Sequence, residues 1–189
     1  VINTLAELEG SSAIAVASEL LSNASGGKGV LLGGVAGVTP SEVVILGAGL
    51  AGSVAARTAL ALGASVKIFD HDINKLRKIQ HYLGQQVFTS VIHPVVLFKA
   101  LASADAVIGN LRYINGSERF MVSEELVKTM KQGAVIVDLS VDQGGCFETA
   151  ECRTISNPVY DRYGILHYCV PNISARVGRT SSMALSNIF

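Results

Sequence analysis

Residues 43–70 constrain this chain more than any other stretch. Val43 to Leu46 is an apolar run, and Gly47-Ala48-Gly49-Leu50-Ala51-Gly52 follows it directly. An alanine-rich segment then runs from Leu50 to Leu62, and Ser65 to Phe69 is apolar again before Asp70. A G-x-G-x-x-G hexapeptide alone is weak evidence. Between a strand and a helix, with an acid at the end of the next strand, it predicts a strand–helix–strand unit that holds a dinucleotide.

Each glycine has a physical reason. Gly47 permits the tight turn, Gly49 lets a pyrophosphate approach the backbone, and Gly52 lets helix and strand pack closely. The helix start offers free N–H groups and a partial positive charge to phosphates. The expected contacts are therefore Gly47, Ala48, Gly49, Leu50, Ala51 and Gly52. Asp70 lies 23 positions after Gly47, close to the spacing of roughly 20 at which a carboxylate meets ribose hydroxyls. It would repel a 2′-phosphate, which favours NAD over NADP. A cationic His71 beside it would weaken that preference. The plainer reading of Asp70 is a residue that caps the next turn.

The rest of the chain alternates in the same way. Helices are expected over 4–22, 50–62, 73–83 (capped by Asp72) and 94–101, with another opened by Ser123 and followed by Gly133. Strands are expected over 43–46, 65–69, 86–90, 106–108, 135–137 and 165–170. The glycine-rich 26–40 segment reads as a packed loop or short hairpin. A last helix is expected from Thr180 or Ser181. Alternating helices and near-continuous apolar strands predict an α/β fold. It is Rossmann-like and doubly wound, with a mostly parallel sheet and helices on both faces.

In such a sheet the ligand sits beyond the carboxyl ends of the strands. Asp70, Gly109-Asn110-Leu111, Asp138 to Gly145 and Pro171-Asn172 should then line one crevice. Asp142 could serve there as an acid/base group, or could cap the Gly144-Gly145 turn; from the residues alone both stand. Asp138, one residue past its strand, reads as a buried structural acid. Cys146 reads as a small buried residue rather than a nucleophile. Lys75 sits on a helix face where a solvated charge is ordinary. Arg112, Arg119 and Arg162 read as surface charges.

Composition excludes other classes. Net charge is zero and the charged share is 16%, so no basic field exists for nucleic acid or an anionic membrane. No apolar run approaches the roughly 18 residues of a membrane span. Cys146, Cys152 and Cys169 are expected as reduced, buried thiols of a cytoplasmic protein. The four histidines show no metal-ligand spacing. Both ends read as cut, as in a domain taken from a longer protein.

The sequence resembles the alanine dehydrogenase family, which includes the nicotinamide-binding alpha part of proton-translocating transhydrogenases. GGKGVLLGGVAGV, VVILGAGLAG, Asp70 with Lys75, ADAVIG, ELVKTMKQGAVIVDLSVDQGGCFET and HYCVPN carry the resemblance. It implies an NAD-dependent, reversible oxidative deamination of L-alanine to pyruvate and ammonium, with hydride transfer to the nicotinamide. Residues 26–175 would be the NAD-binding domain. Residues 1–25 and 176–189 would lead from and back to a substrate-binding domain that these residues lack, so this piece alone would be inactive. The family also implies a homo-oligomer, commonly a hexamer. By position, Asp142 matches an active-site aspartate, Asp70 and Lys75 adenosine-side contacts, and Leu111 and Val141 contacts nearer the nicotinamide; Asn110 is expected beside them as a cofactor contact. Asn172 and Ile173 match the loop after the last strand. A transhydrogenase module, or a non-catalytic nucleotide-binding domain, is the alternative. Its segment is more amide-rich where Asp142 stands. Ala6, Ile92, the 110–113 stretch and the 176–179 stretch depart from the family pattern.

Overall fold

The computed structural model describes residues 2–111 and 120–188. Its helices are α1 (Ile2–Leu21), α2 (Leu50–Ala61), α3 (Ile73–Leu83), α4 (Pro94–Ser103), α5 (Glu124–Lys128) and α6 (Gly178–Ser186). Its strands are β1 (Glu42–Leu46), β2 (Ser65–Asp70), β3 (Phe88–Val91), β4 (Ala106–Gly109), β5 (Val135–Asp138), β6 (Val159–Arg162) and β7 (Ile165–Tyr168). Among the described residues they form one sheet in the order β3-β2-β1-β4-β5-β7-β6. All pairings are parallel except β6 with β7.

The burial of both sheet faces explains the unbroken apolar strands. Side chains alternate between faces along a strand. Val43 and Ile45 of β1 pack in a core with Ile14, Ala17 and Leu21 of α1 and Ala55 and Ala59 of α2. Val44 and Leu46 pack on the other face with Leu97 and Leu101 of α4 and Val127 of α5. The partner strands alternate likewise: Ile108 and Val137 face α1, while Val107 and Ile136 face α4. Each such buried aliphatic side chain contributes roughly 1.5–3 kcal/mol relative to exposure.

Helix α1 is more than a connector. Ala13, Ile14, Ala17 and Leu21 are fully buried. It crosses α2 closely because Gly10 has no side chain: a Cβ there would strike the Ala51 carbonyl and stand 2.9 Å from the Ala55 nitrogen.

Most expected elements are present with ends shifted by one or two residues. Asp72 caps α3 by accepting from the Asn74 N–H at 2.8 Å, and Ser123 caps α5 by accepting from the Leu126 N–H at 3.4 Å. Four expectations change. Strand β6 was not foreseen; it forms a hairpin with β7 through Tyr163 and Gly164, both at positive φ. The last helix starts at Gly178, after a 3-10 turn over Ile173–Val177. Cys152 is exposed, while Cys146 and Cys169 are buried. In the 26–40 loop Leu32 is buried, but Leu31, Val35 and Val38 are each more than 60% exposed. Arg112 and Arg119 lie outside the described residues.

The amino ends of the strands are braced by charge. Asp105 accepts from the Glu42 N–H at 2.8 Å and pairs with Lys28 at 2.6 Å and Lys131 at 3.1 Å. Glu42 in turn holds Lys67 at 2.5 Å and accepts from the Ser103 hydroxyl. Burial alone would raise the Asp105 pKa, but the hydrogen bonds from Lys28, Glu42 and Lys131 outweigh it and hold it below the ordinary value. The stabilisation is present above the unfolded carboxylate pKa and is lost as pH falls through the lower folded pKa. Thermal denaturation across this acid range should therefore show a declining Tm that Asp105→Asn flattens. At neutral pH the substitution should cost about 1–2 kcal/mol. An unchanged acid profile in Asp105→Asn would contradict the brace.

Candidate functional site

The chain runs from β1 through α2 to β2 on one side of the sheet and from β4 onward on the other, so its loops diverge between β1 and β4. At such a switch point a crevice opens beyond the carboxyl ends of the strands. The glycine loop is the β1 side of this crevice. Gly47 has φ 115°, which disfavours any side chain, and its N–H donates to the Phe69 carbonyl of β2 at 2.7 Å. A Cβ on Gly52 would strike the Gly47 carbonyl, so the first turn of α2 lies directly against the strand end. Gly49 is different. A Cβ there would meet nothing nearer than the Asn110 side-chain nitrogen at 3.7 Å. Its lack of side chain leaves space open to the crevice, above the free N–H groups that begin α2.

Asp70 ends β2 and is 2% exposed. Its Oδ2 accepts from the Ala48 N–H at 2.7 Å and its Oδ1 from the Asp72 N–H at 2.9 Å. The turn-capping reading is thus correct as a local description. The same carboxylate also fixes the glycine loop, and a carboxylate has about four acceptor positions, so further hydroxyls can be accommodated at its edge. His71 and Lys75 are exposed beside it. Leu50 is at the helix start and 36% exposed, while Ala51 is buried.

On the β4 side, the Asn110 N–H donates to the Leu46 carbonyl at 2.7 Å. Its backbone carbonyl lies beside Gly47 and its side chain faces Gly49. Leu111 is buried in the α4-side core. The next strand end belongs to β5, joined to β4 where the Leu139 N–H donates to the Gly109 carbonyl at 2.8 Å. Residues Val141–Gln143 form one 3-10 turn here. Val141 is half-buried and Asp142 is exposed. Among the described residues the Asp142 carboxylate has no hydrogen-bond partner. It does not cap the Gly144-Gly145 turn; the Ser140 carbonyl does, accepting from the Gly145 N–H at 3.0 Å.

Asp138 is the buried structural acid expected. It is 1% exposed. Burial raises its pKa above the ordinary carboxylate value against the hydrogen bonds it receives from Ser140, Cys146 and Phe147. Burial also pushes the Cys146 thiol well up, which leaves it a poor nucleophile. At the end of β7, Asn172 has φ 56° and its Oδ1 accepts from the Ser174 hydroxyl at 2.5 Å. Ile173 is 2% exposed and packs in the α1-side core. Asn172 is therefore exposed after the strand end, whereas the Ile173 side chain is turned into the core.

The segment after Cys146 is held by residues the sequence did not single out. His167 is fully buried. Its Nδ1 lies 2.9 Å from the Ile165 carbonyl and its Nε2 2.8 Å from the Thr149 hydroxyl. Tyr160 stacks on His167 with ring centres 5.0 Å apart, accepts from the Glu151 N–H at 2.7 Å and donates to the Thr149 carbonyl at 2.9 Å. Burial lowers the His167 pKa below the ordinary imidazole value. These partners come from β6 and β7, and no local spacing announces them. Arg162 pairs with Glu151 at the surface.

Among the described residues no His, Cys, Asp and Glu cluster could hold a metal, and no helix is long and apolar enough to cross a membrane. The arrangement suits a ligand with a diphosphate on the glycine loop, a ribose at Asp70 and its reactive end beyond β5.

Comparisons with known proteins agree with this architecture. Residues 13–189 match the family described as alanine dehydrogenase/PNT, C-terminal domain. An alanine dehydrogenase of Methanococcus maripaludis is 41% identical over 98% of this chain. The chain spans 50% of that relative's length. A solved L-alanine dehydrogenase superposes with TM-score 0.92 at 38% identity, covering 98% of this chain and 52% of the other. A transhydrogenase from Sinorhizobium meliloti superposes with TM-score 0.78 at 27% identity, over 97% of this chain and 52% of the other. The chain belongs to the alanine dehydrogenase/PNT C-terminal domain family.

Proposed function

We propose that these residues are the NAD-binding part of an alanine dehydrogenase, which oxidises L-alanine to pyruvate and ammonium and passes a hydride to the nicotinamide. The observation that carries the reading is the shared crevice. The glycine loop and Asp70 are joined by the Ala48 N–H, and Asp142 stands exposed at the strand end beyond Asn110. The transhydrogenase alternative has the same fold, but its likeness is lower in both identity and superposition. The substrate is held by a part of the enzyme outside these residues, reached through α1 and α6. The enzyme is proposed to act in the cytoplasm as a homo-oligomer, a hexamer as the resemblance implies.

NAD supplies the hydride acceptor when bound. The α2 N-terminus binds the diphosphate through its free N–H groups. Asp70 accepts from the ribose hydroxyls and disfavours a 2′-phosphate. His71 and Lys75 flank the adenosine side. Asn110, the Leu111 backbone and Val141 line the way to the nicotinamide end, and Asn172 with the Ile173 backbone borders it. Removing hydrogen from an amine and hydrolysing the imine requires a proton carrier within hydrogen-bond reach of nitrogen and water. The Asp142 carboxylate, exposed and without a partner among the described residues, holds or moves that proton.

Titration of these 189 residues with NAD and NADP should show tighter binding of NAD. Gly49→Ala should weaken NAD binding at least about tenfold with little loss of Tm, since its Cβ enters open space. Gly52→Ala should instead lower Tm, because its Cβ strikes the Gly47 carbonyl. Tighter NADP binding, or an unchanged affinity in Gly49→Ala, would contradict the placement. In the complete enzyme, Asp142→Asn should lower kcat about 100-fold or more. Unchanged turnover would remove Asp142 from the chemistry.

A further inference from the structure

The loop that carries Asp142 is closed on a single buried carboxylate. Asp138 Oδ1 accepts from the Ser140 N–H at 2.9 Å and from the Ser140 hydroxyl at 2.8 Å. Its Oδ2 accepts from the Cys146 N–H at 2.7 Å. These donors bracket residues 140–146, and Asp142 lies between them.

The loop is also stiff within this bracket. The Gln143 and Gly145 N–H groups donate to the Ser140 carbonyl at 2.9 and 3.0 Å. Gly144 and Gly145 turn the chain back at φ 105° and 80°. A Cβ on Gly145 would stand 3.2 Å from Asp138 Oδ2 and 3.1 Å from the Ala150 Cβ, so the backbone passes close over the carboxylate. Beyond the bracket, the Cys146 carbonyl accepts from the Met121 and Val122 N–H groups at 3.0 and 3.1 Å.

We infer that Asp138 is the positioning residue for Asp142, its buried carboxylate fixing both ends of the 140–146 loop so that Asp142 is presented to the crevice. The inference rests on the active-site reading of Asp142 given above. The partners that Asp138 meets in this loop are donors, so an isosteric amide cannot replace it. In Asp138→Asn one side-chain oxygen can still serve Ser140, but the amide NH2 then faces the Cys146 N–H, donor against donor. The rear of the loop is released while the glycine loop, two strands away, is untouched.

The test is a double-mutant cycle in the complete enzyme, following NADH formation and NAD affinity. Asp138→Asn should lower kcat about 10- to 100-fold, the loss expected of a misplaced reacting group, with NAD affinity changed less than about twofold. In an Asp142→Asn background the same change should have no further effect, because Asp138 acts only through Asp142. Ser140→Ala keeps the carboxylate and both backbone donors, so it guards against a folding defect. It should give a smaller loss of kcat that likewise vanishes in Asp142→Asn. Losses that multiply in the double variants, or full kcat in Asp138→Asn with low kcat in Asp142→Asn, would overturn the positioning role alone. Full kcat in Asp142→Asn would overturn both readings.

Discussion

The contact between Gly52 and the Gly47 carbonyl sets the geometry from which the rest follows. It allows the first turn of α2 to lie against the end of β1 with no side chain between them. The helix start is thereby aimed beyond the sheet edge, and its unpaired N–H groups become a site for negative charge. Asp70 then ties the loop to β2 through the Ala48 N–H. Binding capacity at this edge is thus a consequence of close packing, and no flexible element is needed to create it.

The two edges of the sheet divide their labour by charge chemistry. At the amino ends, Asp105 is held by two lysines and a backbone N–H, and Glu42 by a lysine and a hydroxyl. Those acids brace the fold. At the carboxyl ends Asp138 is likewise held by donors, but its neighbour Asp142 is left exposed. A buried carboxylate surrounded by donors can hold a loop, whereas an exposed one can exchange protons. The short sequence VDLSVDQGGC contains one of each.

Much of this was legible in the sequence because the relevant signals are local. Apolar strands, the glycine hexapeptide, the Asp72 and Ser123 caps and the acid ending β2 each fall within a few residues of what they specify. The different environments of Asp138 and Asp142 could also be anticipated, since one ends an apolar strand and is buried while the other precedes the Gly144-Gly145 turn and is exposed. What was not legible depends on distant partners. Strand β6 has too few apolar residues to announce itself and exists by pairing with β7. The Thr149–His167–Tyr160 cluster joins residues from separate segments. Cys152 had no local mark of exposure. Asp70 caps its turn, as one of its two readings expected, and it also fixes the glycine loop through the Ala48 N–H, a contact that no local spacing announced.

Backbone amide chemical shifts of the 189-residue chain, recorded with and without NAD, test the central claim most directly. The account predicts the largest changes at residues 47–52, at Asp70 to Asp72, at Asn110 and across 140–146, with the Asp105 edge unmoved. Changes concentrated around Lys28, Glu42 and Asp105, with the glycine loop silent, would contradict it.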